Sequence, residues 1–172
     1  MKRKLFITLL WALVVFILDF ATKKLVVGSL EYNEIKEVTG FLNLVYVENQ
    51  GAAFSLFSGQ ESWQGIKMTL IATIALIPII YFFYQAKSSD KLMLSALGLT
   101  LGGALGNIHD RLRFNAVIDF LDLHFKANHW PAFNIADVGI CVGVALLFFA
   151  ILRDLKKSEK TPSKKEAKTL KR

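Results

Sequence analysis

The chain has 172 residues, of which 53% are apolar, with one cysteine and a formal net charge of +7. That length holds one domain at most, the single cysteine excludes an intramolecular disulfide, and long apolar runs separated by charged patches point to a membrane protein. A basic face on a soluble domain would suggest nucleic acid. Here, however, Lys2, Arg3, Lys4, Lys87, Lys91 and the nine Lys or Arg between Arg153 and Arg172 flank apolar runs, so no nucleic-acid partner is expected.

In chain order, the apolar run 5–20 follows a basic start. A cleaved secretory signal would have this shape, but Ala21-Thr22-Lys23-Lys24 is a poor cleavage site. The run is therefore read as a first transmembrane helix over about 5–27. Asp19, Thr22 and Lys23 are spaced to share a helix face near its outer end. Two readings stand for Asp19: a salt bridge to a lysine that snorkels into the headgroups, or structural support for an active site at the same depth.

Residues 29–65 form a first outer loop. The stretch 38–48 is rich in β-branched and aromatic residues and reads as a strand. Asn49-Gln50-Gly51 supplies a turn, and 52–57 a second extended partner. A small β-sheet in this loop, resting on the membrane, would suit either an extended peptide or a structural cap. Residues 61–65 read as a short helix or turn that sets Trp63 at the interface.

The second span covers about 66–84, with Pro78 as a tolerated kink, and a polar turn over 86–91 leads to the third. Residues 92–108 contain no charge, and 133–152 contain only Asp137. Runs of 17 to 25 residues at about 1.5 Å each match a hydrocarbon core roughly 30 Å thick. Gly98, Gly102, Gly103 and Gly106 on the third span, and Gly139 and Gly143 on the fourth, are small-residue packing positions. Cys141 is read as a buried packing residue rather than a nucleophile. The lysine-rich stretch 153–172 reads as a disordered tail at the anionic lipid surface.

Four spans place all these flanking cations on one side, which the positive-inside rule assigns to the cytoplasm together with both termini. The expected fold is an all-α membrane protein of four transmembrane helices with a small extracytoplasmic β-sheet in the first outer loop. Residues 1–152 would form the membrane domain and 153–172 a basic cytoplasmic tail.

The costly residues gather between Gly102 and Asp137. Ionisable groups at membrane depth are functional candidates by default. Asn107, Asp110 and Arg111 share a face at the outer end of the third span, where Arg111 could pair with Asp110 or with another carboxylate. Asn134 and Asp137 share a face of the fourth, so that the Asn134 amide could donate to Asp137. Asp119 lies in the apolar stretch 117–121, which could lie on the membrane surface and return its carboxylate to the helix mouth. Two carboxylates held about 3 Å apart cannot both ionise, so such a pair shares a proton and can carry acid–base chemistry. His109, His124 and His129 cluster loosely but match no zinc spacing, and neither a metal nor a cofactor is expected.

Five motifs stand together in order. They are Leu18-Asp19-Phe20-Ala21-Thr22-Lys23, the run Asn49-Gln50-Gly51-Ala52-Ala53-Phe54-Ser55, the run from Gly102 to Arg111, Val117-Ile118-Asp119-Phe120, and Phe133-Asn134-Ile135-Ala136-Asp137. Over residues 5 to about 152 this pattern resembles the lipoprotein signal peptidases, the bacterial signal peptidase II family. The resemblance implies a four-helix inner-membrane aspartic peptidase that cleaves prolipoproteins before a diacylglyceryl-modified cysteine. It implies Asp119 and Asp137 as the catalytic dyad, with Asp19, Asn49, Asn107, Asp110, Arg111 and Asn134 in support. Its implied partners are the diacylglyceryl prolipoprotein, membrane lipid and a globomycin-type inhibitor. His109, between the asparagine and the aspartate, departs from the apolar or small residue expected there. Two rivals rest on the residues alone: a proton-coupled transporter component, from aspartates in spans, and a non-catalytic assembly factor, from the glycine faces. All span acids lie toward one end, which counts against a continuous proton path.

Overall fold

The computed structural model describes residues 1–51 and 64–159. The element order is α1 (Lys2–Ser29), β1 (Ile35–Thr39), β2 (Leu42–Asn49), α2 (Gln64–Ile74), α3 (Leu76–Gln85), α4 (Lys91–Phe114), β3 (Val117–Phe125), β4 (Asn128–His129) and α5 (Ile135–Glu159). The expected extended partner at 52–57, Trp63 and the end of the tail lie outside the described residues.

Among the described residues, four stretches are long and apolar enough to cross a membrane: Lys2–Ser29, Ile66–Gln85, Lys91–Phe114 and Ile135–Lys157. The second combines α2 and α3, which break at Ala75. Pro78 explains the position: it lacks the N–H that would bond to Ile74, and its ring crowds that carbonyl. The other helices outlast the apolar runs that announced them because polar groups finish them. Asp90 caps α4 by accepting from the Met93 N–H at 3.1 Å, and Asn115 ends it in the left-handed conformation, with its N–H donating to the Arg111 carbonyl. Helix α5 continues through Arg153 to Glu159, with Lys156 and Lys157 at its carbonyl end, where cations oppose the helix dipole.

Helix α4 is the hub, packed against both α1 and α5 and touched by α2 and α3. Two of its glycines make this closeness possible. A Cβ on Gly102 would collide with the backbone of Ala12 on α1, and one on Gly103 with the carbonyl oxygen of Ala136 on α5. Away from the sheet, Leu94 and Leu97 of α4 pack with Ile79 and Ala150. At that end the Lys4 ammonium donates to the Tyr84 carbonyl at 3.1 Å, and Arg153 pairs with Asp90. Cys141 is exposed, not packed. It stands on the outward face of α5, so its role as core filler is corrected.

The sheet corrects the expectation in two ways. The single strand at 38–48 is a hairpin, β1 and β2, split near Gly40. Nor is the sheet confined to the first loop: the four strands run in the order β1-β2-β3-β4, and β3 and β4 come from the second. Residues 117–125 form a strand of this sheet, because an extended segment must hydrogen-bond its backbone and β2 offers a free edge. The pairing sets Val47 against Asp119 and Asn49 against Val117. On the other side of β3, the Phe120 and Leu121 N–H groups both donate to the Phe133 carbonyl, at 3.0 and 2.8 Å. The start of α5 is thereby stitched to the strand that carries Asp119.

Candidate active site

At the sheet end of the bundle, α1, α4, β2, β3 and α5 each contribute polar side chains to one cluster. Asn134, with no measurable exposure, is its centre. Its side-chain nitrogen donates to Asp119 Oδ1 at 2.7 Å, and to Asn107 Oδ1 and the Ile118 carbonyl at 3.2 Å. Its oxygen accepts from the Asp137 N–H at 2.9 Å, and its own N–H donates to Asp137 Oδ2 at 3.2 Å. This reciprocal pair is a capping box at the first turn of α5, so the spacing Asn-x-x-Asp that marks the motif is also what starts the helix. The amide therefore donates to Asp119, not to Asp137 as the shared face suggested.

The two aspartates are held differently. Asp119 is buried and accepts from Asn134 on one oxygen and from Asn49 Nδ2 on the other, at 3.0 Å. The Asn49 oxygen meanwhile accepts the Gly51 N–H, where φ is +97° and a glycine is favoured. Asp137 is half-buried, with Oδ1 accepting from Asn107 Nδ2 at 2.8 Å. Burial pushes the Asp119 carboxyl up from 3.8 to about 6, against the Asn49 hydrogen bond, and the charge of Asp137 raises it further. A group in this position is one of the marks of a functional site.

Stability is coupled to this proton. Folding holds it on Asp119 more tightly than the unfolded chain does, so its favourable contribution is complete below about pH 4 and fades as pH rises through about 6. Wild type is expected to lose up to about 3 kcal/mol across that interval relative to Asp119→Asn, at roughly 1.4 kcal/mol for each tenfold gain in proton affinity on folding. Thermal unfolding in detergent at stepped pH checks this, and parallel curves for the two proteins would contradict it.

Behind the two aspartates lies a residue that sequence reasoning misplaced. Lys23 does not snorkel to the headgroups: it is buried, with its ammonium 2.7 Å from both Asp19 Oδ2 and Asp110 Oδ2 and donating to Asn107 Oδ1 at 3.3 Å. Its signal was the i, i+4 spacing from Asp19, but nothing local revealed that α4 would supply the second carboxylate. Asp19 has a further partner, accepting from the Ala136 N–H at 2.9 Å and so helping to cap α5 from α1. Asp110 also accepts from the Ile118 N–H at 3.3 Å. Its ion-pair partner is Lys23 and not Arg111.

Arg111 instead donates to the Asn107 carbonyl at 3.4 Å, where its charge acts on Asp137, Asp119 and Asp110. Thr22 turns back onto its own helix and bonds the Leu18 and Asp19 carbonyls. The three histidines separate. His109 sits edge-on to Phe16 and Phe20 with ring centroids 6.0 and 5.5 Å away, so the departure from the motif is absorbed by aromatic packing. His124 and His129 stack at the far end of the sheet, where His129 contacts Asp122 at 2.9 Å.

Four membrane-length helices closed at one end by a sheet, with two carboxylates joined through Asn107 and Asn134, have the form of a multi-pass membrane protein with a polar cluster at one end. Residues 11–153 match the family model described as signal peptidase (SPase) II. A lipoprotein signal peptidase of Ralstonia nicotianae is 43% identical over 141 residues, covering 82% of this chain and 81% of the relative. One from Francisella tularensis subsp. novicida is 44% identical over 158 residues, covering 91% and 96%. Among solved structures, a bacterial membrane enzyme determined by the in meso method at 1.9 Å is 34% identical, with a TM-score of 0.75 over 86% of this chain and 93% of that one. The chain belongs to the signal peptidase II family. It is accordingly an aspartic-type peptidase of the bacterial inner membrane, and the transporter and assembly-factor readings give way.

Proposed function

We propose that the protein removes signal peptides from prolipoproteins, cutting before a diacylglyceryl-modified cysteine, with Asp119 and Asp137 as the catalytic pair. The observation that carries the pairing is the Asn134 side chain, which binds Asp119 through its amide nitrogen while capping the turn that holds Asp137. Asp119, with its carboxyl raised to about 6, holds the shared proton. Asp137, the less buried of the two, meets the water and takes its proton as the oxygen attacks the scissile carbonyl. Asp119 protonates the carbonyl oxygen, giving a neutral tetrahedral intermediate. Collapse of that intermediate breaks the C–N bond: the proton gained by Asp137 passes to the leaving amine, and one hydroxyl of the intermediate returns its proton to Asp119 as the carbonyl re-forms. Water is thereby added across the peptide bond.

Asn49, Asn107 and Asn134 fix the carboxylates, and Asp19, Lys23 and Asp110 form the charged wall behind them. Arg111 links this cluster to a cavity of about 560 Å³ between α2 and α4, lined by Ile66, Leu70 and Phe114 among others. An apolar signal helix approaching from the lipid along this cavity would reach the pair past Arg111. The basic residues cluster at the opposite end of the bundle, which supports cytoplasmic termini and an active site on the outer face.

The test is cleavage by purified protein of one prolipoprotein prepared with and without the diacylglyceryl group. Cleavage of the lipidated form alone is expected. Equal cleavage of both, or an intact lipidated substrate with folded enzyme, would overturn the specificity or the activity respectively.

A further inference from the structure

On the other flank of the charged wall, between α1 and α4, lies a cavity of about 310 Å³ that neither Asp119 nor Asp137 lines. Its walls are Phe20, Val27, Phe114 and Ile118. Its floor is the Lys23–Asp110 pair, and Lys24 and Arg113 stand among its lining residues. We propose that this groove binds one anionic glycerophospholipid of the bilayer, its acyl chain between the aromatic walls and its phosphate held by Lys24 and Arg113.

Three features select this occupant. Three cations against one carboxylate line the cavity, and the carboxylate is already matched by Lys23. Among the described residues no acidic side chain pairs with Lys24 or Arg113, so both charges remain for an anion. The Arg113 guanidinium lies over the Phe114 ring, 5.2 Å from its centroid, so the cation is placed at the wall where an apolar chain would enter. Basic pockets between membrane helices on the cytoplasmic side bind anionic headgroups, and the same charge matching applies at this opposite end of the bundle. The volume decides the rest. It stands at the low end of ligand cavities, enough for a flexible chain, whereas a partner helix about 10 Å across with its side chains does not enter it.

The groove meets the α2–α4 cavity assigned above to substrate at Arg113 and Phe114, which line both, while its Phe20, Lys23, Lys24 and Val27 wall comes from α1 alone. The bound lipid would brace the outer ends of α1 and α4, the two helices that supply Asp19, Lys23, Asn107 and Asp110. The α1 wall and Lys24, which the α2–α4 cavity lacks, assign this groove to a resident lipid.

The test reconstitutes the full chain in vesicles of equimolar phosphatidylcholine and phosphatidylglycerol, and counts the lipids retained after mild extraction by native mass spectrometry. Each interfacial cation strengthens anionic-lipid binding by roughly five-fold. Wild type is therefore expected to retain phosphatidylglycerol over phosphatidylcholine by on the order of ten-fold or more, and Lys24→Gln/Arg113→Gln to lose most of that preference. Val27→Trp, which fills the groove without touching charge, is expected to lose the retained lipid while the chain still folds with wild-type helix content. Equal retention of both lipids by wild type overturns the proposal. So does a double variant that keeps the preference, which would put the anionic lipid on the basic residues at the opposite end.

Discussion

Asp137→Asn and Asp119→Asn are each expected to lower kcat/KM for a lipidated prolipoprotein by about 10⁴-fold or more, while the protein still inserts and unfolds at a similar temperature. General acid–base catalysis alone is worth about 10² to 10⁴, and residues that act as one unit lose nearly the whole effect when either is removed. An amide in either position can neither take the water proton nor return it. The geometry explains why folding should survive. Asp137→Asn keeps an oxygen that can accept the Asn134 N–H and gives up only the Asn107 bond, and Asp119→Asn relieves a desolvated carboxyl, which offsets the loss of one of its two amide bonds. Combining the two substitutions is expected to cost little more than either one. Turnover within ten-fold of wild type in either single variant would remove that residue from the chemistry.

Lys23→Met is expected to destabilise the fold by about 3–5 kcal/mol, the cost of stripping a counter-ion from buried charges. Its ammonium pairs with both Asp19 and Asp110, at 2.7 Å each, and all three side chains are almost fully buried. Removing it leaves two carboxylates facing each other across the α1–α4 contact. Adding Asp110→Asn to Lys23→Met is therefore expected to recover a large part of the loss, because one of the stranded charges is gone. Unfolding in detergent measures both variants. A loss below about 1 kcal/mol, the scale of an exposed pair, would show that the triad is solvated and not a buried ionic wall.

Most of the cluster was visible before folding because its local signals coincide with membrane cost. Asp19, Asn107, Asp110, Asn134 and Asp137 stand where an ionisable or amide group inside an apolar run demands a reason, and Asn134-x-x-Asp137 is itself a helix start. Partners were harder. Arg111 was the obvious mate for Asp110 on one helix face, yet Lys23 from another helix took the place, because a buried carboxylate seeks the cation that can be buried with it. The same blindness hid β3: residues 117–125 carry no hint of which strand edge will receive them.

What the amino-acid order determined by itself, then, is the set of apolar runs that cross a bilayer, the breaks imposed by Pro78 and the caps, and the polar residues too expensive to be there idly. Those follow from transfer energies and backbone chemistry that act within a few residues. The tertiary structure alone decided which groups meet. Pairing of β2 with β3 and of β3 with Phe133 carries Asp119 to Asn134, and the close approach at Gly102 and Gly103 brings α1 and α5 to α4 so that Lys23 can bridge Asp19 and Asp110. The contacts this packing makes include Asp119 with Asn134, 15 positions apart, and Asp19 with Ala136, 117 apart. Hydrogen bonds and ion pairs at such separations depend on where whole elements pack, which no local pattern encodes.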